Sequence, residues 1–351
     1  MGGKTNWEKA SKDRLHAVLF ESCERFAAFK NKIQSYGIDC TVLNFDENIW
    51  IDFDYSNVDM MIYYPSFQES SNHPLALSKV YDNLTFLQIE YPLIAFYPDP
   101  HLSRYYNDKY KQFLYLYKHR YPIPETIPLL SEKNIEQADK KLGYPMVLKN
   151  RFGAGGGSVF LVNSKKELLE YFELAQLNFF SRAGFKHIKN MLSKRIFYYW
   201  LIKAKRLQYP FLSYPLLAQK FVHIDRDLKT VVNEDRVVEG HWRLQSDPKM
   251  WKMNIDGGGT GVWGYIPNEA LEISVRLSQG LGAKWLNLDL IQSNGEFLIT
   301  EFSPVWHHYA YKEKPNFIYQ DDYNIQIPLD ISLDLEQIIL ESLIEAAKTK
   351  K

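Results

Sequence analysis

Asp289 and Glu301 lie in the stretch Leu286 to Trp306, LNLDLIQSNGEFLITEFSPVW. It reads as two short strands joined at Ser293-Asn294-Gly295. In an antiparallel hairpin closed there, Leu290 to Gln292 lies opposite Glu296 to Leu298, and Asp289 and Glu301 become cross-strand neighbours near the open end. Two carboxylates so placed repel unless a positive charge lies between them. Magnesium meets that need, because it takes one or two carboxylates together with phosphate oxygens. A hairpin whose two acids simply face solvent is the plain alternative.

A second group of residues suits phosphate. Lys149 ends a strand that follows Leu142-Gly143-Tyr144-Pro145, and Gly153, Ala154, Gly155, Gly156, Gly157 and Ser158 come next. In dinucleotide-binding and Walker-type loops the glycines open a helix. Here Val159 to Val162 is β-branched and aromatic, so the arrangement is strand, glycine loop, strand. Glycines at this density let backbone N–H groups approach phosphate oxygens and let a lid open and close. Lys149 at the base of the loop reaches the α- and β-phosphates as a point charge. A hairpin with a flexible tip is the alternative. Lys109, in NDKYKQFLY, sits on a helix just before Tyr121-Pro-Ile-Pro-Glu-Thr and by itself reads as a surface lysine.

The elements that position these groups follow from the pattern between them. Leu216 to Val222 is a buried-type strand, followed by Asp225 and Asp227. Leu228 to Val232 and Arg236 to Arg243 form a hairpin turning at Asn233-Glu234-Asp235. Lys252, Asn254 and a second glycine cluster, Gly257 to Gly261, come next. Asn268 to Leu281 is a helix stopped by Gly282. Upstream, Trp7 to Tyr36 reads as one helix ended by Gly37. Strands follow at Cys40 to Phe45, Asn48 to Phe53 and Val58 to Tyr64, then a helix from Pro74 to Ile89, a strand at Leu93 to Phe96 and another helix near Leu102. Alternating strands and helices indicate an open α/β sheet, which binds ligands at the carboxyl ends of its strands.

The ordered series resembles the ATP-grasp superfamily, and within it the RimK-like carboxylate–amine ligases. It runs from a lysine and glycine-rich β-loop-β through a hinge strand, a D-x-[RK] strand, an Arg and an Asn to D…E on a last hairpin. The resemblance covers roughly residues 93 to 310. It implies an α/β protein with an ATP-grasp fold of two lobes preceded by an open α/β domain: residues 1–120, then a small lobe over 121–215 and a large lobe over 216–351.

It also implies roles. Lys109 and Lys149 become the two phosphate-contacting lysines, and Gly153 to Ser158 the phosphate lid, with Gly153, Gly155, Gly156, Gly157 and Ser158 at the nucleotide. Gln219, Lys220, Phe221 and Val222 form the hinge whose backbone reads adenine, with Asp225 or Asp227 near the ribose. Arg243 and Asn254 face the γ-phosphate and an acyl-phosphate intermediate. Asp289, Glu301 and Ser303 hold Mg²⁺, with Mn²⁺ able to replace it. Two positions depart from the family pattern. Lys220 stands where the hinge usually has Glu, and Ser303 stands where the metal motif Glu-x-Asn ends in Asn. A serine hydroxyl is a hard oxygen donor.

The implied reaction is ATP-dependent joining of a small-molecule or peptide carboxylate to an amine. An ATP-dependent kinase on the same fold and a nucleotide-binding module without catalysis are the rivals, the latter suggested by Ser303. His307 and His308 either meet substrate, act as a base or are structural.

Composition bounds the rest. The 351 residues are 46% hydrophobic and 24% charged with zero formal net charge, which excludes wholesale disorder and offers no global attraction for nucleic acid. Aromatic residues reach 15%, with 24 Tyr, so rings must fill much of the core. Cys23 and Cys40 make no disulfide framework. No apolar leader opens the chain, Asn6 breaks the myristoylation pattern, and the longest apolar run, Ile196 to Ile202, is too short to span a bilayer. A cytoplasmic protein is expected. The basic aromatic stretch at residues 176–213 reads as a helical layer that packs its aromatics inward and solvates its charges, with a membrane-surface helix or a nucleic-acid patch as alternatives; were it to face the cleft, its cations would bind an anionic substrate. The tail Leu333 to Ala347 is an amphipathic helix that packs on the core or mediates a homodimer.

Overall fold

Four short parallel strands form the N-terminal sheet: β1 His16–Phe20, β2 Asp39–Leu43, β3 Met60–Ile62 and β4 Ala95–Tyr97, in the order β2-β1-β3-β4. The computed structural model describes residues 14–21, 25–64, 74–153, 156, 158–176, 212–245, 247, 251–253, 259–262, 264–305, 317–319, 326–328 and 334–350. A parallel strand covered on both faces carries a continuous apolar run, and Ala17 to Phe20 are fully buried. The single helix expected over Trp7 to Tyr36 is therefore corrected. His16–Phe20 is strand, and only helix α1, Phe26–Ser35, is helical among the described residues of that stretch. A short apolar run cannot be told from a buried helix by periodicity. Asn48 to Phe53 is corrected too: Ile49–Asp52 makes one helical turn. Ile49 and Ile51 stay exposed while Trp50 turns inward, edge-on to Phe45 at 5.2 Å.

Helix α2, Pro74–Glu90, follows the expected span. The C-terminal helix, Leu335–Lys350, packs in this same unit against α1, β3 and β4, burying Ile339, Leu340, Leu343 and Ala347. Its apolar stripe is therefore covered within the chain. The aromatic content fills this core, where Phe20 stacks on Phe45 at 3.9 Å and Tyr55, Tyr63 and Trp50 surround them. No helix among the described residues is long and apolar enough to cross a membrane.

The chain divides into two compact units, Met1–Glu69 with Leu75–Arg104 and Ile331–Lys351, and Ser70–Pro74 with Tyr105–Asp330. The boundary expected at residue 120 thus falls before helix α3, Lys109–Lys118, which packs on the last hairpin. The tail expected on the large lobe groups with the N-terminal unit.

In the second unit one sheet, in the order β5-β8-β6-β7, comprises β5 Thr126–Leu129, β6 Met146–Lys149, β7 Val159–Val162 and β8 Leu216–Lys220. Helices α4, Glu132–Leu142, and α5, Lys165–Ala175, cover it with Ile135, Ala138, Leu168 and Phe172. Residues 177–211, most of the basic aromatic stretch, lie outside the described residues.

The other sheet is antiparallel, β11-β10-β9-β12-β13. Its strands are β9 Arg226–Asn233, β10 Arg236–Gln245, β11 Gly259–Val262, β12 Trp285–Ser293 and β13 Glu296–Ser303. Helix α6, Asn268–Leu281, lies on one face and ends at Gly282, whose φ of 64° is the left-handed stop that glycine allows. Thr230 Oγ1 meets Ser274 Oγ of that helix at 2.8 Å in the buried layer. Strands β14 Phe317–Tyr319 and β15 Gln326–Pro328 pair with each other.

The hairpin β12–β13 differs from expectation in its register. Asn294 and Gly295, with φ of 52° and 87°, make the two-residue turn, and Ser293 pairs with Glu296 rather than joining it. Leu290 then pairs with Ile299, and unbroken pairing would set Thr300 across from Asp289. A bulge at Thr300 absorbs one residue, and Glu301 pairs directly with Asp289.

Candidate active site

The face of the large sheet opposite α6 is polar, and strand pairing sets its rows. Glu301, Asp289, Lys229 and His241 stand in one row across β13, β12, β9 and β10. Ser303, Asn287, Val231 and Glu239 form the next row on one side, while Asp227 and Arg243 pair on the other. Residues two apart on a strand share a face, so these side chains point the same way.

Arg243 ties the rows together. Its Nε and Nη2 donate to both carboxylate oxygens of Asp227 at 2.7 and 2.8 Å, and Nη2 also reaches Asp289 Oδ2 at 3.1 Å. Lys229 Nζ lies 3.6 Å from Asp289 Oδ1. Burial alone would push the Asp289 carboxyl up, but Arg243 and Lys229 reverse that and hold it well below the usual carboxylate range. Burial likewise works against the Arg243 guanidinium, and Asp289 and Asp227 raise its pKa regardless. The carboxylates of Asp289 and Glu301 keep 25% and 29% of their surface open, whereas Lys109 and Arg243 keep 4% and 11%. The acids are thus the accessible groups and the cations the buried frame.

Helix α3 and the other sheet each bring a lysine to the same place. Lys109 opens α3, and its Nζ lies 3.5 Å from Glu301 Oε1 and donates to the Gly153 carbonyl. Asp108 caps that helix through the Lys111 N–H at 3.1 Å and takes a bidentate pair from Arg151, with Nη2 at 2.8 Å. The Lys109 N–H bonds the Arg151 carbonyl at 2.9 Å, so the helix start and the glycine loop are one piece. Lys149 Nζ donates to the Thr300 carbonyl of the bulge at 3.0 Å. Burial, opposed by Glu301 and aided by Lys109, pushes Lys149 down to about 8.

Gly153 and Ser158, beyond Lys149, come close together. At Gly153, with φ of 120°, a Cβ would stand 2.7 Å from Ser158 Cβ. Gly156 accepts from Lys252 Nζ at 2.7 Å. The buried Ser158 Oγ has no partner among the described residues. A narrow cleft joins Lys109, Lys149, Gln219, Leu217, Ile299 and Thr300.

Of the residues singled out from sequence, Lys109, Lys149, Gly153, Glu301, Asp289 and Arg243 come together in one continuous set of contacts. Asp227 is held by Arg243, while Asp225 is exposed between β8 and β9. Lys220 ends β8 with its N–H on the Glu125 carbonyl, and Phe221 and Val222 lie just past the strand. Ser303 Oγ is taken up by Val305, accepting from its N–H at 3.2 Å and donating to its carbonyl at 3.1 Å. Gly155, Gly157, Asn254, His307 and His308 lie outside the described residues.

Sequence reasoning missed Gln112, Asp108, Arg151 and Asn287, and noted Lys229 only as part of D-x-[RK]. The available signal was polar residues at spacing two inside strands, as in Asp227-Leu228-Lys229 and Asn287-Leu288-Asp289. Gln112, 2% exposed, accepts from the Phe302 N–H at 3.2 Å and donates to the Tyr105 carbonyl at 2.9 Å. Gln112→Leu leaves both backbone groups unpaired in the interior. It should lower the unfolding free energy by about 3 kcal/mol in urea denaturation.

Two sheets closing on such a cleft form a fold already seen in solved proteins. The structure of the ATP-grasp ligase PsnB complexed with minimal precursor aligns over 95% of this chain and 99% of that one, at 11% identity and a TM-score of 0.56. The chain has the ATP-grasp fold. No family model matches it.

Among curated proteins, beta-citrylglutamate synthase B of Danio rerio is 26% identical over 201 residues, 55% of this chain and 40% of that protein. The alpha-aminoadipate–LysW ligase LysX of Saccharolobus solfataricus is 24% identical over 220 residues, 62% of this chain and 67% of the relative. The match to the first of these thus spans less than half of that protein's length. The chain thus has the fold of the ATP-grasp ligases and is similar in sequence to these two enzymes.

Proposed function

We propose that the protein is an ATP- and Mg²⁺-dependent carboxylate–amine ligase, forming an amide or peptide bond through an acyl phosphate. The observation that carries this reading is the direct pairing of Asp289 with Glu301, with Lys149 brought onto the same hairpin from the other sheet and Lys109 from helix α3. The residues present fit the groups the reaction needs. Two partly open carboxylates offer hard oxygens to Mg²⁺. The cations Lys109, Lys149, Lys229 and Arg243 outnumber the carboxylates Asp227, Asp289 and Glu301, which suits a polyphosphate guest. The orphaned Ser158 Oγ supplies a buried donor on the lid.

In this reading Lys109 and Lys149 hold the phosphates, and the loop from Gly153 to Ser158 closes over them. Gly155 and Gly157 of the lid, and Asn254 near the transferred phosphoryl group, keep the roles the resemblance implies. Phe221 and Val222, beyond the last hydrogen bond of β8, meet adenine, with Gln219 lining the cleft beneath. Asp225, free in the linker, is the ribose contact, since Asp227 is committed to Arg243. Arg243 faces the γ-phosphoryl group while holding Asp289 in place. Bound Mg²⁺ supplies charge neutralisation for phosphoryl transfer. Positioning and charge are what such a transfer asks of a protein, and this site holds both without a nucleophile. The substrates are a small-molecule or peptide carboxylate and an amine, in a cytoplasmic setting that keeps Cys40 a thiol.

An ADP-release screen of carboxylate and amine pairs tests the reading. ADP formation should require both partners and yield an amide by mass spectrometry. Turnover with carboxylate alone, giving a stable phosphorylated product, would make the protein a kinase.

Lys149 adds a pH signature. Its pKa of about 8 means that the cation is present at pH 7 and lost as pH rises through that value. Affinity for a non-hydrolysable ATP analogue, measured without metal, should fall up to about tenfold between pH 7 and pH 9. In Lys149→Arg it should stay flat.

A further inference from the structure

Asn287 is the residue on the polar face whose chemistry is unspent. It lies on β12 directly across from Ser303 of β13, one row from the Asp289–Glu301 pair and on the same face. Its side chain is 2% exposed. Nδ2 donates to the Val305 carbonyl at 3.1 Å, and that bond sets the orientation of the amide, because the reverse would oppose two oxygens. Oδ1 therefore points away from Val305, and it is buried with no hydrogen-bond partner among the described residues. A buried carbonyl left so costs about 1–3 kcal/mol unless a guest satisfies it.

The residue opposite does not provide for it. The Ser303 hydroxyl, expected from sequence to serve the metal, forms a closed pair with the Val305 backbone. Directly paired residues have Cβ atoms about 5 Å apart, so an amide moved from position 303 to position 287 stays at the same end of the site. The spacing is equivalent as well: Asn287 stands two residues from Asp289, as position 303 stands two residues from Glu301.

We propose that Asn287 Oδ1 supplies the third protein oxygen of the divalent-cation site, with Asp289 and Glu301, in place of an amide at position 303. The inference rests on the reading of the Asp289–Glu301 pair as a metal site. Ser303 then shapes the turn after the hairpin and is not a ligand. An amide carbonyl is a hard neutral donor of the kind Mg²⁺ and Mn²⁺ accept.

The test is Mn²⁺ affinity of the full chain with a non-hydrolysable ATP analogue, read by electron paramagnetic resonance and calorimetry. Asn287→Leu should weaken Mn²⁺ about 10- to 100-fold, the scale on which groups around a metal act. It should leave metal-free analogue binding unchanged. Asn287→Asp keeps an oxygen but cannot donate to Val305, so it should retain Mn²⁺; loss of Mn²⁺ there would assign Asn287 a structural role and overturn the proposal. Ser303→Ala should leave Mn²⁺ binding intact, and Ser303→Asn should rescue Asn287→Leu. If Asp289→Asn abolishes Mn²⁺ binding while Asn287→Leu does not alter it, the inference fails and the metal site stands. If Asp289→Asn is also without effect, the site reading fails with it.

Discussion

Asp289→Asn should reduce ATP turnover by about 10³-fold or more, with the fold retained. The size follows from what the carboxylate does in two directions. Toward the proposed reaction it is one of two open acids on the hairpin, and in that reading removing one preorganised charge from the phosphoryl-transfer site costs at least as much as removing one oxyanion donor. Toward the protein it is the shared partner of Arg243 and Lys229. Asparagine still accepts a hydrogen bond from Arg243 but carries no charge, so stability should fall by about 2 kcal/mol. The pH dependence of that loss is a check on its cause. A carboxyl held below its ordinary pKa contributes stability above the unfolded value and loses it as pH falls through the folded one. The difference in unfolding free energy between wild type and Asp289→Asn should therefore be constant near neutrality and shrink below about pH 4. A difference that grew in acid would mean the carboxyl is not held by its cations.

Arg243→Met should have the largest effect on stability, about 4 kcal/mol, because it leaves Asp227 and Asp289 close together without the cation between them. Removing one member of a buried ion group costs far more than the group contributes, since the remaining charges cannot leave. Arg243→Lys restores the charge but not the fork, which engages both oxygens of Asp227 and still reaches Asp289. It should recover part of the stability and little of the turnover. Urea denaturation and ADP release on the same preparations separate the two effects. Equal stability in Met and Lys variants would show that charge at this position is immaterial to the fold.

The parts of the site legible in the sequence are those that local chemistry dictates. Ser293-Asn294-Gly295 announces a hairpin, and with it that Asp289 and Glu301 lie near each other across its two strands. The four glycines from Gly153 to Gly157 followed by β-branched residues announce a β-loop-β rather than a helix start. The parts that were not legible depend on pairing between distant segments. Lys229 becomes a neighbour of Asp289 only because β9 pairs with β12 across the whole of α6. Gln112 reaches Phe302 from a helix far up the chain. His16–Phe20 reads as helical because its four consecutive apolar residues, Ala17 to Phe20, satisfy either period, and burial on both faces of a parallel sheet removes the alternation that would betray a strand. The strand register was misjudged at the turn, where Ser293 pairs with Glu296 instead of joining the loop, and the bulge at Thr300 went unseen because a bulge has no composition of its own.

That bulge works as a frameshift within β13. Counted in strict alternation, Phe297, Ile299 and Glu301 would all fall on one side, and the acid would enter the apolar layer beside Leu288 and Leu290. Thr300 resets the count, so that Phe297, Ile299 and Phe302 are the buried residues and Glu301 changes sides. The residue that resets it is also fastened, with its hydroxyl on the Asp289 carbonyl at 3.0 Å and its own carbonyl on Lys149. A β13 of the same length paired without the bulge would be the more regular strand and would set Thr300, not a second carboxylate, across from Asp289. The irregularity is what lets one strand be read in two phases, apolar for the core before it and acidic for the cleft after it.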